Sequence, residues 1–143
     1  MTIEEIVRQV ESLGGVLTLQ PGPEDGSPEL AWGDLFFYYA PDGIVPPGQP
    51  FATIITKDYP DEPSSGLGSG VFRVNIDARG SGRAATTAGA PTDRDTLISH
   101  PTYGQLGWVS VVQPGPRTAG DLTALVAEAH RRAQHRWNRR HEQ

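Results

Sequence analysis

His100 is the residue of this sequence whose type and neighbours come closest to a catalytic arrangement. Asp95, Tyr103 and Ser110 stand near it along the chain. Because histidine titrates close to neutral pH, His100 could act as a general acid or base beside these groups. The alternative that we favour is a histidine that hydrogen-bonds a backbone carbonyl and fixes the turn before a strand. Ser110 falls inside a predicted strand and not on a sharp strand-to-helix turn, which counts against a nucleophile there.

The other three histidines, His130, His135 and His141, lie in a region of helical periodicity. His130 and His135 are five residues apart, so they do not share a helix face as a metal-binding i, i+4 pair does. We expect a solvated helix end here and no metal site. The chain has no cysteine, which excludes disulfides, thiol catalysis and thiolate metal sites. The sequence therefore predicts neither a metal nor a cofactor.

A binding surface is a stronger prediction than a catalytic one. Its candidate residues are an arginine, an amide and two aromatic side chains: Arg73, Asn75, Trp108 and Tyr38. Strand alternation turns the first two toward one side, and the aromatic pair could lie beside them on the same sheet. Such a set could bind a small anionic or planar ligand. The alternative, to which we give more weight, is that Arg73 pairs with an acid such as Asp77 or Asp34.

Five segments with β propensity must position these side chains. They cover residues 16–20, 31–40, 51–56, 71–77 and 106–112. Segment 31–40 holds five aromatic residues and is apolar on both sides. This composition predicts either a central strand or a sheet face that is open to a partner.

Two helices flank the strands. Residues 2–13 begin with the capping box formed by Thr2 and Glu5 and end at a glycine pair. Residues 117–139 form the longer helix, for which Thr118 with Asp121 is the expected cap. Between the strands, the glycine-broken stretch 78–92 holds at best one or two helical turns around residues 83–88. Residues 93–99 are expected to form another short helical turn.

The predicted fold class is α+β. One antiparallel sheet of about five strands is covered on one face by the N- and C-terminal helices, in two layers. The loops between strands are too short for crossover helices, so a parallel sheet is not expected. At 143 residues, a single domain spanning 1–143 is the natural organisation, with a basic helical tail at about 131–143.

Charge and hydropathy narrow the classes of partner. Residues 1–130 carry seven basic and sixteen acidic groups, whereas residues 131–140 carry five arginines and no acid. An acidic body disfavours nucleic-acid binding, because phosphate contacts dominate that affinity. No run reaches the ~18 apolar residues of a membrane span, and the acidic start M-T-I-E-E-I does not fit a signal peptide. We therefore expect a cytoplasmic protein without membrane contact.

Several motifs resemble those of a known family. They are W-G-D-L-F-F-Y-Y at 32–39, F-A-T-I-I-T-K-D at 51–58, G-V-F-R-V-N-I at 70–76 and H-P-T-Y-G-Q-L-G-W-V-S-V at 100–111. With these motifs the chain resembles an uncharacterised, mostly actinobacterial family, domain of unknown function 6194. The resemblance implies no activity.

The plan is more distantly similar to that of MmcQ/YjbR-like proteins, which also place a run of antiparallel strands between two helices. That similarity implies nucleic-acid binding only by analogy of fold. The chain departs from the pattern after the R-V-N-I strand. A glycine-broken stretch replaces the usual helix there, and Asp77 stands where those relatives tend to carry basic residues.

The leading prediction for function is a ligand- or protein-binding module without catalytic machinery, which uses the sheet face opposite the helices. A homodimer that buries this face would explain the same open aromatic residues. Two alternatives remain: a small enzyme with His100 as acid or base, and a nucleic-acid-binding module.

Overall fold

The computed structural model describes residues 1–82 and 89–142. Two α-helices lie in these ranges, α1 (Ile3–Glu11) and α2 (Ala119–Arg140). Six strands lie between them: β1 (Val16–Leu19), β2 (Leu35–Tyr39), β3 (Ala52–Ile55), β4 (Arg73–Asp77), β5 (Ile98–Ser99) and β6 (Trp108–Val112). Three short 3-10 turns cover Pro23–Asp25, Glu29–Ala31 and Gly104–Leu106. The helical turns predicted around residues 83–88 fall outside the described residues.

The strands form one sheet in the order β1-β2-β3-β4-β6-β5, and every neighbouring pair is antiparallel. The predicted α+β class with an antiparallel sheet is confirmed. The sheet has six strands among the described residues, however, and not about five. The additional strand is β5, which lies where a helical turn was expected. Ile98 pairs with Ser110 of β6 and is buried, so a contact between distant residues overrides a weak local pattern.

One face of the sheet packs against both helices and forms the core. Residues of β2, β3, β4 and β6 that alternate along each strand contribute to it, as do the apolar stripes of α1 and α2. In register across the sheet, Phe37 pairs with Ala52 and Ala52 with Ile76. Burial of these apolar side chains, at roughly 25 cal/mol per Å² removed from water, is the main force that holds the helices on this face.

The opposite face carries polar side chains in the middle of the sheet. Phe36 of β2 pairs with Thr53 of β3, Thr53 with Asn75 of β4, and Asn75 with Ser110 of β6. Because side chains alternate between faces, these four partners lie in one row on the side away from the helices. This row is the base on which the candidate site is built.

The two helix starts differ from each other in how they are capped. Thr2 Oγ1 accepts the N–H of Glu5 at 3.1 Å, which is one of the two hydrogen bonds of the predicted capping box, and the Thr2 hydroxyl donates to the Glu5 carboxylate at 3.2 Å. The predicted Thr118 cap of α2 is wrong, because the Thr118 side chain makes no capping bond. Its hydroxyl instead donates to Asp95 Oδ1 at 2.6 Å. Asp95 also accepts the N–H groups of residues 115, 117 and 118, so a carboxylate distant in sequence holds this helix start.

Other element bounds shift by a few residues. β2 begins at Leu35, because residues 29–31 form a 3-10 turn, and Trp32 therefore lies outside the strand that was predicted to contain it. β6 begins at Trp108 after a second such turn. His130 was predicted to lie in a solvated helix end, but it is buried. Its Nε2 lies 2.7 Å from the carbonyl oxygen of Gly14, which ties α2 to the end of α1.

Neither helix of the described residues is long and apolar enough to cross a bilayer.

Candidate functional site

A pocket of about 480 Å³ lies on the sheet face turned away from the helices. Five aromatic side chains line it: Phe36, Tyr38, Tyr59, Tyr103 and Trp108. β2 supplies the first two and β6 supplies the tryptophan, so β3 and β4 between them form the floor. Leu106 stands at the pocket with 63% of its surface exposed, and Tyr103 with 50%. The pocket thus has aromatic walls and exposed apolar groups at its border.

The floor of the pocket is a buried polar network centred on Asn75. Arg73 Nε donates to Asn75 Oδ1 at 2.9 Å, and Ser110 Oγ donates to the same oxygen at 2.7 Å. Asn75 Nδ2 donates to Thr53 Oγ1 at 3.0 Å. Because one amide oxygen receives two donors, the orientation of the Asn75 amide is fixed by its neighbours. Buried polar groups that are satisfied in this way form a rigid surface.

Arg73 joins this floor to the loop that follows β3. Its guanidinium is 2% exposed, donates to Ser65 Oγ at 3.1 Å and forms an ion pair with Glu62 at 3.2 Å. The sequence favoured an acid as the partner of Arg73, and named Asp77 or Asp34. The acid is Glu62. Arg73 therefore both pairs with a carboxylate and lines the pocket.

Asp34 and Asp77 are buried and have other partners. Asp34 accepts hydrogen bonds from Thr56 and from the Tyr59 hydroxyl, the latter at 2.7 Å. Burial, and then this hydrogen bond, raise the pKa of Tyr59 above its ordinary value. Asp77 is paired with Arg79 at 2.6 Å. Burial alone would raise the pKa of Asp77, but its hydrogen bonds to Arg79 outweigh burial and lower it.

His100 borders the pocket and is itself almost fully buried. Its Nδ1 accepts the backbone N–H groups of Thr102 and Tyr103, each at 3.0 Å. A ring nitrogen that accepts two N–H groups carries no proton, so the neutral ring has its proton on Nε2. Burial, and then the positive charge of Arg73, lower the pKa of His100 to about 4, although Glu62 opposes them.

These features make His100 a hydrogen-bond donor at neutral pH. It fixes the turn before β6 as the sequence predicted, but it accepts backbone N–H groups where a bond to a carbonyl was expected. Nε2 has no hydrogen-bond partner within residues 1–82 and 89–142. Asp95 holds the start of α2, and Ser110 donates to Asn75. The possible catalytic set of His100, Asp95, Tyr103 and Ser110 is therefore not assembled, apart from the contact between the His100 and Tyr103 rings at 4.9 Å.

The structure brings together every residue that the sequence proposed for ligand binding. Arg73, Asn75, Trp108 and Tyr38 all line the one pocket, and so does His100. Other lining residues were not among those proposed from the sequence, and Tyr59, Glu62 and Leu106 are examples. The first two belong to the acidic segment K-D-Y-P-D-E, which follows β3 directly. An aromatic residue among acids next to a strand end was the available signal.

A metal centre has no support in the described part of the chain. No group of three or more His, Asp or Glu side chains is placed there so that it could hold an ion.

Comparison with known proteins identifies a family whose function is unknown. A model of the family of unknown function DUF6194 matches residues 1–142. The chain belongs to this family. The resemblance predicted from the sequence motifs is confirmed to that extent. No curated protein and no solved structure matches the chain. For this DUF6194 chain, the pocket is therefore the feature from which a function can be derived.

Proposed function

We propose that the chain is a binding module for a small, planar, largely apolar molecule that occupies the aromatic pocket. The carrying observation is the pocket itself: about 480 Å³, with five aromatic side chains around a buried polar floor. Ligand sites are typically concave and apolar, with a few fixed polar groups that set orientation. The volume lies within the range that small-molecule sites usually occupy, about 300–1,000 Å³.

The polar groups of the floor define the ligand further. The Nε2–H of His100 has no partner in the described ranges, and Asn75 Nδ2 uses one of its two hydrogens for Thr53. Donors in this position suit a ligand that carries a carbonyl oxygen or a ring nitrogen. The aromatic side chains of Tyr38 and Trp108, which line the pocket from strands on opposite sides of the floor, suit a planar ring system.

The enzyme alternative is weaker on chemical grounds. A general base needs a free lone pair, and the lone pair of His100 Nδ1 already accepts two N–H groups. A general acid near neutral pH needs a pKa close to that pH, whereas the pKa of His100 is about 4. Both roles are thus disfavoured, and a binding role for the Nε2–H uses the ring in the state it has at neutral pH.

A nucleic-acid or protein partner is also less favoured than a small ligand. The acidic body of the chain and Asp61 at the pocket disfavour a polyphosphate backbone, which counts against the analogy with MmcQ/YjbR-like proteins. A second copy of the chain or another protein would contact a broad surface, whereas the polar floor lies inside a concave pocket.

Binding of the uncharged dye phenylnaphthylamine tests this proposal. We expect its fluorescence to rise on mixing with the protein, and Trp108→Ala to weaken binding about tenfold, since one aromatic wall is lost. Trp32→Ala is the matched control, because Trp32 is also half-buried but lies outside the pocket. Leu106→Asp, at a 63% exposed position, alters the pocket border without touching the core.

Two results would contradict the proposal. One is absence of dye binding to the wild-type protein. The other is equal affinity in wild type, Trp108→Ala and Leu106→Asp, with folding of each variant verified by circular dichroism.

A further inference from the structure

A second cavity, of about 300 Å³, adjoins the aromatic pocket. Both cavities are lined by Tyr38, Gln49 and Arg79, so these three residues stand between them. The outer walls of the second cavity come from the proline-rich loop before β3 and from the last turns of α2. The two cavities are therefore neighbours that share one wall.

The second cavity is positively charged. Three arginines line it, Arg79, Arg136 and Arg140, and no acidic side chain does. Arg79 is neutralised by Asp77, with which it forms two side-chain hydrogen bonds. Neither Arg136 nor Arg140 forms an ion pair with a carboxylate of the described residues. Within the described residues, two positive charges at this cavity thus lack an ion-pair partner, in a protein of net charge −5.

The environment of Arg136 favours the binding of an anion. Its side chain is half-buried, and burial lowers the pKa of Arg136. The positive charges of Arg79, Arg132 and Arg139 act in the same direction, although Asp77 opposes them. An anion placed among these guanidinium groups would offset both the burial and the mutual repulsion.

The helix dipole explains part of this cluster but not its placement. Basic residues are favourable at the carboxyl end of a helix, where the dipole is negative. That reason applies equally to Arg131 and Arg139, which line neither cavity. The convergence of Arg136 and Arg140 with Arg79 on one concave surface needs a further explanation.

We infer that the second cavity binds an oxyanion, a phosphate or a carboxylate, carried by the same ligand whose planar part occupies the aromatic pocket. Planar guanidinium groups match both oxyanions through paired N–H donors. The inference rests on the proposed function, since it assumes that the aromatic pocket is the site of the planar part. It adds the chemical class: an aromatic compound with a single anionic substituent next to its ring.

Two dyes that differ only by one sulfonate group test the inference. Anilinonaphthalene sulfonate is phenylnaphthylamine with an added anion. We expect the charged dye to bind the wild-type protein more tightly than the neutral dye, and its affinity to fall as salt concentration rises. The double variant Arg136→Gln/Arg140→Gln should weaken the charged dye about tenfold and the neutral dye by less than about twofold.

The matched control is Arg131→Gln/Arg139→Gln. It removes the same charge from the same helix at positions that line neither cavity, so it should weaken the charged dye much less than Arg136→Gln/Arg140→Gln does. Arg140→Gln alone, at an exposed position, keeps the test valid if the double variant is unstable. Competition by naphthyl phosphate and by naphthoate then identifies which oxyanion is preferred.

The outcomes separate the two proposals. If neither dye binds, the proposed function fails and this inference falls with it. If the neutral dye binds and the charged dye binds no more tightly, or is equally weakened by both double variants, the aromatic pocket stands and the oxyanion site is wrong.

Discussion

At the residue scale, His100 combines a structural hydrogen-bonding role with a position at the pocket. One ring nitrogen accepts two backbone N–H groups and so closes the turn after β5. The other nitrogen bears a proton on a ring that lines the pocket. Because the folded protein disfavours the charged imidazole, protonation of His100 at low pH favours the unfolded chain.

Replacement of His100 tests the structural half of this role. His100→Ala leaves the N–H groups of Thr102 and Tyr103 without an acceptor, so we expect a loss of about 1–3 kcal/mol in the free energy of unfolding. His100→Asn places an amide oxygen where Nδ1 stood and should recover much of that loss. Urea titrations of wild type and the two variants at neutral pH measure their free energies of unfolding. Equal stability of the alanine and asparagine variants would contradict the structural role assigned to Nδ1.

The pH dependence of stability tests the protonation half. The pKa of His100 is about 4 when folded and 6.5 when unfolded. Between these values the unfolded chain binds a proton that the folded chain does not, so stability falls as pH decreases through this window. The loss amounts to up to about 3 kcal/mol at pH 4.

Urea titrations of wild type and His100→Asn from pH 7.5 down to pH 4 isolate this contribution, since the asparagine variant cannot titrate there. The stability of wild type should fall relative to that of His100→Asn by up to about 3 kcal/mol between pH 7.5 and pH 4. Parallel curves would show that His100 has an ordinary pKa in the folded protein.

At the element scale, Asp95 joins two parts of the fold that no local pattern connects. Its carboxylate receives three backbone N–H groups and the Thr118 hydroxyl at the start of α2. The residue itself adopts a left-handed conformation, with φ at 48°. Burial opposes ionisation, but these hydrogen bonds prevail and lower the pKa of Asp95. The helix that covers the core is thereby anchored beside β5.

Asp95→Ala should therefore cost about 1–3 kcal/mol in the free energy of unfolding, because the donors at the helix start lose their acceptor. Asp93→Ala is the control: it removes a nearby carboxylate whose hydrogen bond is to the local N–H of Ala90. Thermal melts followed by circular dichroism give both values. Equal melting temperatures for the two variants would contradict the assigned capping role.

At the scale of the whole molecule, the two faces of the sheet differ in what they carry. The face toward α1 and α2 is apolar and forms the core, whereas the opposite face carries the polar floor and the aromatic walls. All residues of β3 and β4 are buried, although they belong alternately to the two faces. The central strands therefore fix the pocket floor through the same backbone that fixes the core.

Amide hydrogen exchange should reveal this arrangement. We expect the amides of β3 and β4 to exchange only when the whole chain unfolds, because they lie between strands on both sides. The two-residue edge strand β5 should exchange faster. Mass-spectrometric exchange over a denaturant series measures both, and early exchange of β4 would show that the floor opens independently of the core.

The sequence by itself determined the class of the fold and much of the site. Alternation along residues 71–77 was enough to place Arg73 and Asn75 on one side, since side chains of a strand alternate whatever the strand pairs with. The aromatic density of 31–40 indicated either a central strand or a sheet face that is open to a partner. Helical periodicity and the cap at Thr2 likewise depend on residues three or four positions apart, so both can be recognised from the sequence alone.

Only the tertiary structure decided the contacts between distant residues. β5 forms because it pairs with β6. The start of α2 is capped by Asp95, which is distant in sequence. The acid that pairs with Arg73 is set by the course of the loop after β3. The energies of such pairings depend on distance in space and on burial, and neither quantity can be obtained from the local amino-acid composition. The same reason explains His100. Its residue type suggested a base, and two backbone N–H groups with burial made it a neutral donor.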